Sequence, residues 1–202
     1  MLCIGRGTAL ELWRQSANVV VLSNQPESLE KLKKEYPSID TVCVDLRDWN
    51  KTREVVDSLG VFDGLVNNAG IAITEPFLDC SLTSFDDTIA VNVRAVINAA
   101  LKNHTVYCAS KSAVDSITRV MALELGPHGI RINSVNPTVI MTDMGRKVWS
   151  GSDQSKDMLS KIPLGRFGEV HEVVNAILFL LSTSASMISG VQLPIDGGFL
   201  AT

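Results

Sequence analysis

A tyrosine and a lysine stand four residues apart in the middle of the chain, at Tyr107 and Lys111. The pattern over residues 106–125 predicts a helix, and residues four apart share one face of a helix. A lysine ammonium beside a phenol favours the phenolate and lowers the tyrosine pKa from its reference of about 10. Such a tyrosine can exchange a proton with a carbonyl or alcohol oxygen near neutral pH. The pair also fits an ordinary helix surface, so by itself it leaves both interpretations open.

Further polar residues lie where predicted strands end. Asn67-Asn-Ala-Gly70 follows a predicted strand, and Gly70 permits the close approach of a ligand, although the string also fits a plain turn. Asp45 and Leu46 close another strand, where an aspartate can bond an adenine amine or cap the turn. Asn92 lies within a predicted helix, where asparagine is unfavourable, and such a local violation points to function.

The elements that must position these residues alternate along the chain. Segments rich in β-branched residues predict strands at 18–23, 41–45, 61–66, 129–135 and 190–195. Segments with helical periodicity predict helices at 26–36, 49–59, 82–101, 106–125 and 170–181. This alternation predicts an α/β fold, a doubly wound parallel sheet with ligands at the carboxyl ends of its strands. The polar segment 147–161 is either an insertion over the site or a solvated loop with a short helix.

Composition narrows the class of protein. A chain of 202 residues with 46% hydrophobic and 20% charged residues predicts one globular domain. The net charge of −4 argues against a broad nucleic-acid surface. The four cysteines form no CxxC pair, which predicts no metal site and favours a reducing compartment. Because no apolar run is long enough to span a bilayer and no signal-peptide pattern opens the chain, we expect a cytoplasmic protein.

Taken in order, these strings resemble the short-chain dehydrogenase/reductase family. They are Asn67–Gly70, Asn92, Tyr107-x-x-x-Lys111 and Asn136-Pro137 followed by Thr142, and the likeness covers nearly all of the chain. Longer strings resemble the family's reductases of sugar ketones and α-dicarbonyls, at 42–46 with Trp49, 103–108, 121–128 and 136–142. The resemblance implies a Rossmann-like fold, NADPH-dependent reduction of a small carbonyl substrate, and a homotetramer.

The resemblance also implies roles at the matching positions. Tyr107 would donate the proton to the carbonyl oxygen, and Lys111 would lower the tyrosine pKa and hold the nicotinamide ribose. Asn92 would support a water-linked proton path to Lys111. The implied NADP(H)-binding positions are Gly5, Asp45, Leu46, Asn67, Ala69, Gly70, Tyr107, Lys111, Val139 and Thr142. His104 and Trp149 would line the substrate pocket, although without the resemblance they fit a helix-start surface residue and a packing residue.

The sequence departs from the family pattern in three places. Of the glycine-rich turn that follows the family's first strand, Gly5 alone remains, with Cys3 in the place of the preceding glycine. Asn92 and Tyr107 stand too close for the fifth strand and the catalytic serine after it. Asn24-Gln25 supplies neither a basic partner for a 2′-phosphate nor an acidic partner for a ribose hydroxyl.

Two expectations follow from these departures. We expect one incomplete domain over residues 1–202, with a sheet that lacks its first and fifth strands, unless local repacking closes it with five strands. The alternative to an active reductase is a catalytically inactive form that associates with full-length reductase subunits.

Overall fold

A computed structural model describes residues 3–71, 73, 81–92, 105–150 and 153–201; for residue 49, residues 105–109 and residues 153–154 it describes the backbone alone. Its helices are α1 (Ile4–Arg14), α2 (Pro26–Glu35), α3 (Trp49–Ser58), α4 (Leu82–Asn92), α5 (Thr105–Leu125), α6 (Asp143–Trp149), α7 (Asp153–Ser160) and α8 (Val170–Leu181). Its strands are β1 (Val20–Ser23), β2 (Asp40–Cys43), β3 (Ser134–Pro137) and β4 (Gln192–Ile195). None of the helices in these ranges is long and apolar enough to span a membrane.

The predicted helices begin within one residue of their predicted starts, whereas α1 and α6 were not predicted. Pro26 opens α2, where its missing N–H costs nothing, and Leu29 and Leu32 are the residues that this helix buries. The Asp48 side chain accepts a hydrogen bond from the Lys51 N–H at 2.9 Å and so caps α3. The prediction for 106–125 is confirmed by α5. The prediction for 82–101 is confirmed to Asn92, and its remainder lies outside the described residues.

The strands form two separate parallel pairs. β1 pairs with β2 from Val20 opposite Asp40, and β3 pairs with β4 from Ser134 opposite Gln192. The parallel pairing confirms the α/β interpretation, since parallel strands need crossover helices between them. The described residues hold four strands in two sheets, so within them the alternative of one sheet closed with five strands is not formed.

The strand predicted at 61–66 is not formed. In the doubly wound order this segment would lie between the first and the fifth strand. The described residues contain neither, so the segment has no ladder to join, and a lone strand is not stable in water. Val61 is fully exposed and Leu65 is 75% exposed. The prediction fails for the physical reason that strands, unlike helices, need neighbours to satisfy their backbone groups.

One smaller strand prediction also changes, and the polar segment 147–161 can be assigned. The strand predicted at 129–135 begins later, at Ser134, because Gly126–His128 forms a 3₁₀ turn and Gly129 takes a left-handed φ of 75°. Only glycine adopts this conformation without strain, so the chain turns here before it extends. The segment 147–161 carries the end of α6 and all of α7, which agrees with the interpretation as a loop with a short helix.

The main apolar core lies along α8. Ile140, Val170, Val173, Val174 and Ile177 form its buried cluster. Helix α1 packs closely against α8 at Gly7, where an added methyl group would lie 3.0 Å from Val170 Cγ1 and 3.3 Å from Val174 Cγ2. A glycine on the contacting face therefore lets the two helices approach. A second cluster of Leu10, Leu32 and Ile39 lies beside β1 and β2.

Candidate active site

The core along α8 seats three segments of the site. Ile4, Val66 and Ile195 are partly buried against this core, and Ile140 belongs to it. Each of the first two is followed directly by a candidate cofactor residue, Gly5 and Asn67. A third candidate cofactor residue, Val139, comes directly before the core residue Ile140. One apolar cluster therefore places the start of α1, the end of the irregular segment 61–66 and the loop after β3 around a common centre.

Gly70, Asn92 and Lys111 come together although they lie far apart in the sequence. A methyl group added at Gly70 would lie 3.4 Å from Asn92 Oδ1 and 4.0 Å from Lys111 Nζ. Glycine at this position keeps a narrow opening beside the amide and the ammonium. The opening is the kind of cradle that a ligand backbone or a water molecule can enter.

The Asn92 side chain holds the chain that leads away from Gly70. Its Oδ1 accepts a hydrogen bond from the Ile71 N–H at 2.7 Å, and its Nδ2 donates to the Ile71 carbonyl oxygen. Asn92 has no solvent exposure. A side-chain amide that satisfies both backbone groups of one residue explains why this asparagine is retained in a helix that disfavours it.

Lys111 is buried in the site, with 7% of its surface exposed. Burial lowers the pKa of its ammonium from 10.5 to about 8. The neighbouring Ser110 has no exposed surface, and α5 runs continuously from Thr105 through Lys111. Tyr107 thus lies one helical turn before Lys111, although its side chain lies outside the described part of the structure.

The start of α1 lies beside the asparagine string. Cys3 caps the helix, and its Sγ accepts a hydrogen bond from the Arg6 N–H at 3.5 Å. A methyl group at Gly5 would lie 2.6 Å from Asn68 Nδ2, so the asparagine string and the start of the helix are in direct contact. A helix N-terminus attracts anions, so this end of α1 could hold the cofactor pyrophosphate.

Asp45 is engaged by an arginine two residues later. Arg47 Nη2 donates to Asp45 Oδ2 at 2.7 Å, and Arg47 Nη1 lies 3.5 Å from Asp87 Oδ2 on α4. The hydrogen bonds from Arg47 lower the pKa of the Asp45 carboxyl below its usual 3.8. Asp45 and Leu46 are half-buried, and Asn67 and Ala69 are exposed. Sequence inspection missed Arg47, which connects the predicted adenine side to α4.

The loop after β3 holds the remaining candidates. The Thr142 hydroxyl caps α6 by accepting from the Gly145 N–H at 3.0 Å, and Trp149 packs against Phe167 with ring centroids 5.8 Å apart. The Val139 carbonyl oxygen accepts from the Gly168 N–H at 3.0 Å. The prediction for His104 lies outside the described residues. Across the described ranges, no cluster of three His, Cys, Asp or Glu could hold a metal ion.

A charged pair that sequence inspection missed joins the turn before α8 to the first turn of that helix. Arg166 forks onto Glu172, with Nη1–Oε2 at 2.8 Å and Nη2–Oε1 at 2.7 Å. These bonds, and the Glu169 N–H that also donates to Glu172, hold the pKa of the Glu172 carboxyl at about 2. The spacing Glu169-x-x-Glu172 ahead of an apolar run is a capping-box pattern, so the sequence did contain the signal.

The lowered pKa of Glu172 predicts an acid-dependent loss of stability. Between about pH 4.5 and pH 2 the unfolded chain binds more protons at this carboxyl than the folded chain, so its contribution is complete above pH 4.5 and declines below it. We expect Glu172→Gln to lower the thermal midpoint at pH 7, and the difference from the unmodified chain to shrink toward pH 2. A difference that stays constant from pH 7 to pH 3 contradicts the prediction. Glu54→Gln, in an exposed pair with Lys51, is the control and should change the midpoint little.

Comparison with known proteins decides the family. The family model described as short chain dehydrogenase matches residues 2–102, and the model described as enoyl-(acyl carrier protein) reductase matches residues 98–200. The L-xylulose reductase of Mesocricetus auratus is 47% identical over 98% of this chain and 93% of its own length. The chain belongs to the short-chain dehydrogenase/reductase family.

Two further relatives of this short-chain dehydrogenase/reductase differ in the activity that their names give. The D-erythrulose reductase of Gallus gallus is 43% identical over 98% of this chain and 92% of its own length. The carbonyl reductase [NADPH] 2 of Sus scrofa is 38% identical over 98% of this chain and 93% of its own length. The alignment with the hamster protein runs over 226 residues, more than the 202 of this chain, so that relative carries internal residues that this chain lacks.

Solved structures confirm the Rossmann-like fold. A 4-hydroxyisoleucine dehydrogenase mutant complexed with NADH and succinate matches with a TM-score of 0.93 and 26% identity, over 98% of this chain and 95% of that one. ElxO with NADP bound matches with a TM-score of 0.88 and 25% identity, over 98% of this chain and 95% of that one. The short-chain dehydrogenase/reductase fold is therefore recognisable although its strands form two pairs.

The residues present fit a dinucleotide cofactor. Asn136 Oδ1, at the carboxyl end of β3, is buried and has no hydrogen-bond partner among the described residues. Ligands of doubly wound folds bind at this end of the strands. The opening beside Gly70 and the N-terminus of α1 lie on segments seated by the same core. An orphaned buried acceptor together with a glycine cradle is the pattern expected where a polar ligand completes the site.

Proposed function

We propose that this chain is an NADP(H)-dependent reductase of the L-xylulose reductase type, acting on a sugar ketone or an α-dicarbonyl. The observation that carries the proposal is the meeting of Asn92 and Lys111 at Gly70, one helical turn from Tyr107. The names of the relatives support the substrate class, and the carbonyl reductase [NADPH] 2 supports the choice of NADP(H) over NAD(H).

Each polar residue has a task in the proposed reaction. When bound, NADPH supplies the hydride whose two electrons reduce the carbonyl carbon. The Tyr107 O–H donates its proton to the carbonyl oxygen, which leaves an alcohol and a phenolate. The Lys111 ammonium stabilises that phenolate, and a proton returning from solvent past Asn92 and Lys111 restores the phenol. Because the pKa of Lys111 is about 8, its positive charge is present at neutral pH and declines above pH 8.

The remaining positions would bind rather than react. Gly5 and the α1 N-terminus would receive the pyrophosphate, while Asp45 and Leu46 would face the adenine. Asn67, Ala69 and Gly70 would line the adenine-ribose side. Val139 and Thr142 would contact the nicotinamide carboxamide, and His104 and Trp149 would line the substrate pocket. We also propose that residues 1–202 form one domain, working as a cytoplasmic homotetramer.

A second candidate function is a catalytically inactive subunit that associates with full-length reductase. The division of the sheet into two pairs favours it, because the central strands that align the two halves of the site are missing from the described residues. Helix α8 and strand β4 are intact, so a surface for association remains. We expect this chain to co-purify with a full-length relative and to show no turnover of its own. If the chain remains a monomer in a mixture with that relative, the second candidate function is excluded.

A thermal melt with and without NADPH tests the main proposal. At a concentration about 100 times its Kd, a ligand that binds the folded state stabilises it by about 2.7 kcal/mol, which raises the midpoint by several degrees. We expect that rise in the unmodified chain, and a smaller rise in Lys111→Met. Lys161→Met removes an exposed lysine of similar size that pairs with Asp157, and should shift like the unmodified chain. A cooperative melt that NADPH does not move favours the second candidate.

A further inference from the structure

The loop after β3, which would receive the nicotinamide, is hydrogen-bonded to one glycine in the segment before α8. Gly168 donates its N–H to the Val139 carbonyl oxygen at 3.0 Å and accepts from the Met141 N–H at 2.8 Å. These bonds form an isolated parallel bridge between Ile140 and Gly168. A methyl group at Gly168 would lie 2.6 Å from Ile140 Cδ1, so the two segments are in direct contact. Any movement of Gly168 therefore moves the loop.

The turn that contains Gly168 is itself held in place by Glu172. The two oxygens of Glu172 take the Arg166 guanidinium, and Oε2 also accepts the Glu169 N–H at 2.8 Å. Arg166 and Glu169 stand on the two sides of Gly168, so one carboxylate fixes both ends of the turn. Glu169 continues the connection to α6, because its Oε2 accepts from Arg146 Nη2 at 2.9 Å.

Helix α8 does not depend on Glu172 alone for its stability. It buries Val170, Val173, Val174, Ile177 and Leu180, and this apolar face remains when the carboxylate is removed. The side chains of Arg166 and Glu172 are 56% and 30% exposed. Removing Glu172 is therefore expected to lower the overall stability without unfolding α8, and to change the structure mainly at the turn and the loop that it holds.

We propose that Glu172 is a positioning residue for the cofactor: through Arg166, the Glu169 N–H and Gly168 it fixes the Val139–Thr142 loop at the place that the nicotinamide half occupies. This inference rests on the function proposed above. Val139 and Thr142 would contact the cofactor. Glu172, a residue of α8 that is not among the candidate contacts, would set the geometry of those contacts. Glu172 itself need not touch the cofactor.

Two readouts separate positioning from a general structural role. Binding of NADPH, followed by nicotinamide fluorescence, is compared with binding of adenosine 2′,5′-bisphosphate, which lacks the nicotinamide half. Glu172→Ala is expected to raise the Kd for NADPH about tenfold, and to leave the Kd for the bisphosphate unchanged. Without any nucleotide, hydrogen exchange of the Met141 and Gly168 amides should become faster in this variant, while the amides of α5 keep their protection.

Two further variants make the result decisive. Glu172→Gln keeps an oxygen that can accept from the Glu169 N–H but loses the charge, so it should restore part of the NADPH affinity and amide protection. Asp157→Ala removes an exposed carboxylate paired with Lys161 on α7 and should change neither readout. Unchanged exchange at Met141 and Gly168 in Glu172→Ala, or equal losses for both nucleotides, would overturn the inference and leave the proposed function standing. An unmodified chain that binds neither nucleotide would overturn both.

Discussion

Tyr107→Phe is expected to lower the turnover of a carbonyl substrate by about 100- to 10 000-fold, because the variant has no O–H to donate as the hydride arrives. Phenylalanine keeps the ring and the helix position, so α5 and the Lys111 environment should be preserved. Although Tyr107 is also one of the implied NADP(H)-binding positions, the Kd for NADPH should change far less than the turnover. The measurement is NADPH oxidation with an α-dicarbonyl or a ketose as the substrate.

The chain offers a matched control for this substitution, since it contains one other tyrosine. Tyr36 lies at the end of α2, where its ring packs edge-on against Trp13 at a centroid distance of 5.0 Å. Tyr36→Phe should leave turnover within a factor of about two, a change of less than 0.5 kcal/mol in the barrier. If Tyr107→Phe keeps the turnover of the unmodified chain, another group donates the proton and the proposed mechanism is wrong.

Asn92→Leu is expected to have the largest effect on stability. Leucine has the same number of side-chain heavy atoms and the same branching, but it leaves the Ile71 N–H and carbonyl oxygen without the partners that Asn92 supplies. Each unsatisfied buried polar group costs about 1–3 kcal/mol, so the free energy of unfolding should fall by about 2–6 kcal/mol. Urea unfolding measures this loss. NADPH binding should also weaken, because the opening at Gly70 is bounded by the same amide.

Two comparisons define what Asn92 contributes. Asn50→Leu changes an exposed asparagine in α3 and should alter the free energy of unfolding by no more than about 0.5 kcal/mol. Asn92→Asp can still accept from the Ile71 N–H, but as a buried carboxylate it repels the Ile71 carbonyl oxygen. Its free energy of unfolding should therefore fall at pH 7 and recover in part at low pH, where the protonated carboxyl can donate. Equal urea midpoints for Asn92→Leu and Asn50→Leu would show that the amide does not hold the Gly70–Ile71 segment.

Among the described helices, α2, α3, α5, α8 and the described part of α4 could be predicted from the sequence, whereas α1 and α6 were missed. The strands could be predicted only in part. Helices such as α2 and α8 satisfy their own backbone groups, so a proline or a capping pair and an apolar stripe are sufficient to locate them. The segment 61–66 has the composition of a strand, yet whether it forms one depends on neighbours. The short interval between Asn92 and Tyr107 predicted that a neighbour was missing. It did not show that the sheet would divide into two pairs.

The candidate site, like the fold, could be predicted from the sequence only in part. The family resemblance selected Gly70, Asn92 and Lys111, and the structure brings them together. Arg47 and Glu172 were not selected, because each acts through hydrogen bonds to residues whose positions depend on the folded loops. The capping-box spacing marked Glu172 as a helix start, but nothing in the spacing indicated that the turn before that helix also holds the loop after β3.

The division of the sheet into two pairs makes α1 a mechanical link. Its Leu10 belongs to the cluster beside β1 and β2, whereas its Gly7 contacts Val170 and Val174 of α8. A continuous sheet would join the two strand pairs rigidly through backbone hydrogen bonds. Here α1 connects them through side-chain packing instead. Under the proposed function the adenine lies on one half and the nicotinamide on the other. A bound dinucleotide would then contact both strand pairs and restrict their relative movement, in addition to supplying the hydride.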